Sequence, residues 1–595
     1  MPIKRDDKYQ VNENKRWFQK WWPENVPKNI DFPEMTLAEF LDKQVEKYAD
    51  DHFLWFLDTW MTYKEFQKHV LSLATALHEM GVKKGDVVAM HLPNCFQYII
   101  GYYAATRIGA IASGINPTYQ PMEILHQLDI IKPKVLIVLD ALYKPYIQPI
   151  IDRSSIEKVI YTNVADLAHG LGFKRVLGKL LGKIPKGKVD YPGAVPLMKL
   201  LETEPNPPKV EIDVKTHPAT YIMTGGTTGL PKAAVLTHFN VVSNAIQCMY
   251  WLGGEQPGLG NIGVLPLFHS FAHTVVMNTT VAFGGWIMLF PKPPTQAELC
   301  AHIEKLPAPK GFVYAGAEVL FKRLAEFEDL KKYPNVMGKL KLCVSGAGPL
   351  HRPVRDAFVE NTGGRIVEGY GLTEATPVVS AGNLFGESPI GTIGMPFPGT
   401  EWGIWPIEDF SKGPICLGDP DDTNFGEEHT GELCVHGPQV MLEYLNKPDE
   451  TAETIKEYDG KLWLLTGDIG FMNEDGTVEL RDRKKQLIKY KGYSVYPKEV
   501  EELLMKHPEI SEAAVAGLPH DEFGEVVKAW VELTPGSTLT PEEIKKWAEE
   551  NMTHYKRPYY VEIIDQIPKN LIGKVQRRLL QINDPIWKEK HGESK

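Results

Sequence analysis

The sequence predicts an α/β protein with a large N-terminal domain and a small α+β C-terminal domain. Three observations carry this. Apolar, strand-like runs alternate with helical patterns through most of the chain, the signature of mostly parallel sheet. The chain has 595 residues, too many for a single core. Finally, the charged stretch RDRKK at 481–485 follows the turn NEDG (473–476) and the short strand pattern TVEL, and a compact region with its own helical patterns comes after it. The predicted division is an N-terminal domain over 1–482, a hinge at 483–485 centred on Lys485, and a C-terminal domain over 486–595.

In chain order, VVAMHL (87–92) reads as a strand before a helical pattern around 98–107, and KVLIVLD (134–140) and KVIYTN (158–163) read as further strands. Residues 165–208 are rich in Gly, Lys and Pro and look inserted. TYIM (220–223) and AAVLT (233–237) flank a glycine loop. No Asp, Glu, Lys or Arg occurs from 256 to 291. That stretch still contains Asn261, His269, His273 and Asn278, so it reads as a buried helix followed by the strand WIMLF rather than a membrane span. KLCVSGAGPL (341–350) is a strand running into a turn. PKEVEELLMKHP and PEEIKKWAEENM supply helices to the C-terminal domain.

Composition removes several classes. A net charge of -11 gives no global electrostatic case for nucleic acid. The six cysteines are scattered without a CxxC pair, which argues against a zinc site or disulfide framework and suits a reducing, cytoplasmic setting. The first residues, MPIKRDDKYQ, are too polar for a secretory signal. The oligomeric state is left open, a homodimer included.

Three motifs carry chemistry. TGGTTGLPK at 224–232 joins two strand patterns. Its glycines let backbone N–H groups face an anion, and its threonines and Lys232 add donors, as a polyphosphate requires. A polar hairpin turn is the plain alternative. EGYGLTEATP at 368–377 offers an aromatic face at Tyr370, a hydroxyl at Thr373 and a hard oxygen ligand at Glu374, which suits magnesium. Glu374 taken alone is equally a structural residue of a Gly-rich turn. TGD at 466–468 places Asp468 where it could accept both hydroxyls of a ribose, and a turn aspartate is the plain reading.

These motifs, with RDRKKQLIKYKGYSVYPKEVEE (481–502) and PKNLIGKVQRR (568–578), occur in the order and spacing of the adenylate-forming superfamily. This group contains acyl-CoA synthetases, peptide-synthetase adenylation domains and firefly luciferase. The resemblance runs from about residue 37 to 580 and is strongest to long-chain fatty-acid–CoA ligases. It implies a β-barrel subdomain within the large domain, a mobile C-terminal domain, and a two-step reaction. ATP and the acid give acyl-AMP and pyrophosphate, then coenzyme A gives acyl-CoA and AMP.

The resemblance also implies roles. Thr224, Gly225, Gly226, Thr227, Thr228, Gly229 and Lys232 would grip the ATP phosphates. Gly346, Ala347 and Tyr370 would sandwich adenine, within a nucleotide site that includes Glu368, Gly369 and Gly371. Thr373 would meet the α-phosphate, and Glu374 with Thr227 would hold Mg2+. Asp468 and Arg483 would bind the ribose, and Lys574 would bridge the attacking carboxylate and the α-phosphate. His269 would lie near the acyl pocket and thiol entry. Lys489, Lys491 and Gly492 would form the coenzyme A face used in the second half-reaction. Departures from the pattern are Gly225, Ala233, Ala272 and Glu443, none of which removes a charged or ligating group.

The expected acyl pocket, lined from 267–282, 311–318 and 345–370, is apolar (Phe268, Phe271, Val275, Met277, Phe312). It holds no evident cation for a second carboxylate and no Asp for an amino group. This points to a fatty acid, with an aryl-acid–CoA ligase and a fatty-acyl-AMP ligase loading a carrier protein as rivals. Within the insertion, Phe173, Val176, Leu177, Leu180, Leu181 and Ile184 fall at helical spacing among lysines. A basic amphipathic helix of this kind can lie on an anionic membrane surface or dock on its own domain.

Overall fold

The computed structural model describes residues 9–172, 184–224, 231–490, 493–569 and 575–591, without the side chains at 485, 493 and 494. Among the described residues the strands form four sheets. An eight-stranded sheet runs in the order Glu443–Tyr444, Lys232–Thr237, Pro218–Thr224, Ile111–Gly114, Val87–His91, Val135–Leu139, Lys158–Thr162, Val195–Pro196. A nine-stranded sheet runs Met395–Pro396, Val378–Ala381, Ile366–Gly371, Leu340–Ser345, Phe312–Gly316, Gly260–Gly263, Trp286–Leu289, His52–Phe56, Thr59–Thr62. Both are mainly parallel at their centres. Their inner strands, such as Val135–Leu139 and Phe312–Gly316, are buried along their whole length, so they read as continuous apolar runs rather than alternating ones.

Local chemistry sets the helices. Thr36 with Glu39, Thr62 with Glu65, Thr295 with Glu298 and Thr540 with Glu543 form reciprocal capping boxes that satisfy orphan N–H groups at helix starts. The helix Phe96–Arg107 is buried from Phe96 through Thr106. It is apolar on all sides because the main core surrounds it. The charge-free stretch folds as expected: helical residues Ala272–Phe283, all buried, lead into the buried strand Trp286–Leu289. No described helix is long and apolar enough to cross a membrane.

A third, antiparallel sheet of five strands contains Glu401–Trp405, Gly431–His436, Lys461–Met472, Ile455–Tyr458 and Val478–Arg483. It is the small β subdomain of the large unit. The fourth sheet begins at Ile488–Tyr490 and has its own core around Val500, Val515, Val527 and Ile544. Between the two, Lys484–Gln486 forms a single 3-10 turn.

The 165–208 insertion is anchored at both sides. The Gly170 amide donates to Thr59 Oγ1 at 2.8 Å, and Val195–Pro196 pairs with the strand Lys158–Thr162. The expected amphipathic helix falls mostly on 173–183, outside the described residues.

Candidate active site

Strand ends of the two large sheets deliver Thr224, Lys232 and the segment Tyr370–Glu374, and the third sheet adds Asp468 and Arg483. Thr224 ends one strand and Lys232 begins the next, and the two are cross-strand partners. The glycine motif is therefore the connection of a β-hairpin. Gly225, Gly226, Thr227, Thr228 and Gly229 lie outside the described residues. Lys232 Nζ sits 4.8 Å over the ring of Tyr444, and the Tyr444 hydroxyl donates to Glu374 Oε1 at 2.6 Å.

The strand Ile366–Gly371 lies parallel to Leu340–Ser345, with Glu368 opposite Ser345. This register sets Gly346 and Ala347, just past Ser345, beside Gly369 and Tyr370. A side chain at Gly346 would come within 3.0 Å of the Phe271 ring. At Gly371 a Cβ would lie 2.0 Å from the Pro377 carbonyl oxygen, so only glycine fits that turn. Ala347 is held at φ 65°, a conformation that L-residues rarely adopt.

Burial pushes the Glu368 carboxyl up to about 7 despite the Leu350 N–H that bonds its Oε2 at 3.0 Å. Lys498, from the fourth-sheet unit, and His351 oppose that rise. His351 is itself paired with Glu318 at 2.9 Å.

Asp468 is buried, at 5% exposure. It sits directly across the antiparallel ladder from Arg483. Arg483 Nε lies 2.9 Å from Asp468 Oδ1, and the Tyr370 hydroxyl donates to Oδ2 at 2.6 Å. The nearby Asp468 charge raises the Arg483 pKa, while burial holds the Tyr370 phenol far above its ordinary value.

The apolar segment closes the other side. Ser270 and Thr373 hydroxyls are 3.1 Å apart, and Thr274 Oγ1 donates to the Thr376 carbonyl at 2.6 Å. His269 Nδ1 accepts the Phe271 N–H at 3.2 Å, which puts the proton of a neutral ring on Nε2. Phe268 and Phe271 are partly buried, and Val275 and Met277 fully so. Phe312 is a correction: it starts the strand that ends at Gly316, and its ring packs on Trp286, 5.6 Å away, at the far end of the sheet.

Lys489 is placed elsewhere, with its Nζ 3.4 Å from Glu408 on the third-sheet unit. Lys491, Gly492 and Lys574 lie outside the described residues. Two connections went unforeseen in the sequence. Tyr444 belongs to YLNKP, where the informative signal is a two-residue strand pairing with Lys232–Thr237. Lys484 reaches Glu432 at 2.8 Å.

Comparison with known proteins identifies the arrangement. A model of the AMP-binding enzyme family matches residues 41–445, and its C-terminal-domain counterpart matches 499–574. The chain belongs to the AMP-binding enzyme family. A long-chain-fatty-acid–CoA ligase of Bacillus subtilis is 34% identical over 579 residues, covering 96% of this chain and 98% of the relative. A 4-coumarate–CoA ligase of rice is 31% identical, covering 87% and 86% respectively. The ATP-bound crystal structure of MatB from Rhodopseudomonas palustris shares the family fold, with a TM-score of 0.73 at 23% identity, covering 94% of this chain and 99% of that one.

Magnesium suits Glu374. Its partly buried carboxylate commits Oε1 to one neutral donor rather than to a cation. A single carboxylate beside bound phosphates is how Mg2+ is usually held.

Proposed function

We propose that this protein is an AMP-forming fatty-acid–CoA ligase. The observation that carries the reading is the convergence of Lys232, Thr373, Glu374, Asp468 and Arg483 beside an apolar wall. Relatives named as long-chain-fatty-acid–CoA ligases, similar over nearly their whole length, support the acid.

In the first step two anions must meet, so charge neutralisation dominates. Lys232 and the glycine loop hold the β- and γ-phosphates, Thr373 positions the α-phosphate, and Lys574 brings the fatty carboxylate against it. Asp468 and Arg483 fix the ribose, while Gly346, Ala347 and Tyr370 bracket the adenine. Mg2+, held by Glu374 and Thr227, supplies further charge neutralisation on the phosphates when bound.

In the second step the coenzyme A thiol attacks the mixed anhydride and expels AMP. Its ordinary pKa near about 8.5 provides some thiolate at neutral pH. None of the six cysteines serves as nucleophile: all are buried, and burial pushes Cys95, Cys248 and Cys416 up to about 12.

The hinge at Lys485 lets the 486–595 domain turn from a Lys574 face to a Lys489, Lys491, Gly492 face between steps. The Lys489–Glu408 pair is one position of that second face. The scattered cysteines support a cytoplasmic enzyme, and the basic insertion supports either contact with an anionic membrane surface or a helix docked on its own domain.

The rival reading, an aryl-acid–CoA ligase, is favoured by the rice 4-coumarate–CoA ligase relative. Pyrophosphate release measured across acids from acetate to oleate, with coumarate included, tests the choice. Long acids should be preferred, and best activity on acetate or coumarate overturns it. Product masses with coenzyme A against a carrier protein exclude or establish acyl transfer to a carrier.

A further inference from the structure

The side chain of Tyr444 touches two of the residues assigned above to the triphosphate, yet neither the mechanism nor the sequence motifs use it. We infer that Tyr444 is a positioning residue that holds the metal-binding carboxylate of Glu374 and the ammonium of Lys232 at a fixed separation around the triphosphate. The inference rests on the ligase reading and deepens it at the same site.

The segment that carries Tyr444 is built onto both partners. Glu443–Tyr444 pairs antiparallel with the strand that Lys232 begins, with Tyr444 opposite Ala234. The Leu442 amide donates to the Val235 carbonyl at 2.9 Å, and the Leu445 amide to the Ala233 carbonyl at 2.9 Å. Toward the other motif, the Met441 amide donates to the Glu374 carbonyl at 2.8 Å, and Thr376 Oγ1 donates to the Gln439 carbonyl at 2.6 Å. Seven residues, 439–445, therefore bridge the two motifs through their own main chain, with the Thr376 hydroxyl as the one side-chain partner.

On this rigid bridge Tyr444 is 7% exposed. Its hydroxyl donates to Glu374 Oε1 at 2.6 Å, and its ring face lies 4.8 Å below Lys232 Nζ. A phenol of ordinary pKa, about 10, is protonated at neutral pH and hence a donor. One planar side chain thus orients a carboxylate by its edge and an ammonium by its face. Among the described residues Lys232 makes no ion pair, so the ring holds the cation without neutralising it before phosphate arrives.

A hydrogen-bond donor to a metal-binding group fixes that group's orientation, and losing it typically weakens metal binding 10–100-fold. Tyr444→Phe removes the donor and keeps the ring. Tyr444→Leu removes both. The probes are Mn2+ binding in the presence of a non-hydrolysable ATP analogue, by electron paramagnetic resonance, and binding of the same analogue in EDTA, by calorimetry.

Tyr444→Phe should weaken Mn2+ binding about tenfold and leave metal-free nucleotide binding within about twofold, whereas Tyr444→Leu should weaken both. Glu374→Gln combined with Tyr444→Phe should bind Mn2+ no worse than Glu374→Gln alone, since the tyrosine acts through the carboxylate. Wild-type Mn2+ binding by Tyr444→Phe overturns the inference, as does equal loss with and without metal, or full additivity in the double variant. If the unmodified protein binds no metal–nucleotide complex, the ligase reading itself fails, a separate result.

Discussion

Asp468 and Arg483 face each other across two adjacent antiparallel strands, and the 2.9 Å contact between them is completed by the Tyr370 hydroxyl on the opposite oxygen of the same carboxylate. The ladder register, rather than a flexible side-chain meeting, fixes the pair. Two of the residues assigned to the nucleoside are therefore preorganised before ATP arrives.

Asp468→Asn keeps the shape and removes the charge. It should weaken ATP binding by about 1.5–3 kcal/mol, the range for a hydrogen bond to a charged group. The unmodified protein should discriminate against 3′-deoxy-ATP, and the variant should largely lose that preference. Calorimetric titration with both nucleotides measures it, and unchanged discrimination in the variant removes Asp468 from the ribose.

Glu368 gives a pH prediction. Its folded-state pKa, about 7, stands above the ordinary 4.5. Its contribution to stability is thus fully present below about 4.5 and is lost as pH rises through 7. Glu368→Gln, which can still accept the Leu350 N–H, should be more stable than the unmodified protein at pH 8, and the gap should close toward pH 5. Urea midpoints across this range check the sign. A gap that widens on acidification contradicts it.

Chain length should be read by the apolar wall. Each methylene that finds room contributes roughly 0.8 kcal/mol, or about fourfold. kcat/KM should rise from C4 to at least C10 before levelling. A flat profile across this series would mean that the Phe268, Phe271, Val275 and Met277 surface does not receive the chain.

The pivot should lie beyond residue 484. Lys484 is tied at 2.8 Å to Glu432, itself 4% exposed and bonded through its other oxygen to the Gly467 amide. Lys485→Pro constrains φ to about -65° and should retain pyrophosphate exchange while losing acyl-CoA production. Lys574→Ala should do the reverse when acyl-AMP is supplied. Equal loss of both half-reactions in both variants, with circular dichroism unchanged, would refute a two-faced domain.

The insertion carries a separate expectation. Deleting 173–188 should reduce sedimentation with anionic liposomes at low salt and leave adenylation of a short soluble acid nearly intact. An unmodified protein that fails to sediment makes the helix structural.

Much of this was legible in the sequence because buried parallel strands read as unbroken apolar runs. KVLIVLD and TYIM fall on observed strands, and the glycine motif on the connection between paired strands. What stayed hidden depends on non-local register. Nothing in a two-residue strand announces that Tyr444 pairs with a segment two hundred residues earlier, because so short a run has no periodicity to read. Phe312 failed for another reason. An apolar residue suits a pocket or a core equally, and which end of its strand it occupies decides between them. The 15-residue spacing between Asp468 and Arg483 likewise says nothing of a cross-strand pair until the turn at 473–476 sets the register.

The stretch at 15–22 has a consequence for biosynthesis. The Arg16 amide bonds the Gly418 carbonyl at 2.9 Å, its guanidinium bonds the carbonyls of Pro420 and Asp422, and Trp21 Nε1 bonds Asp475 Oδ2 at 2.6 Å. Trp17 is wholly buried against Trp402. These partners are made some four hundred residues later. At about 5–20 residues per second, the ribosome exposes these early tryptophans for roughly 20–90 s before their niche exists. During that interval the nascent chain presents an aromatic, unsheltered segment, the kind of surface that chaperones bind, and the large domain closes only when its earliest and latest parts meet.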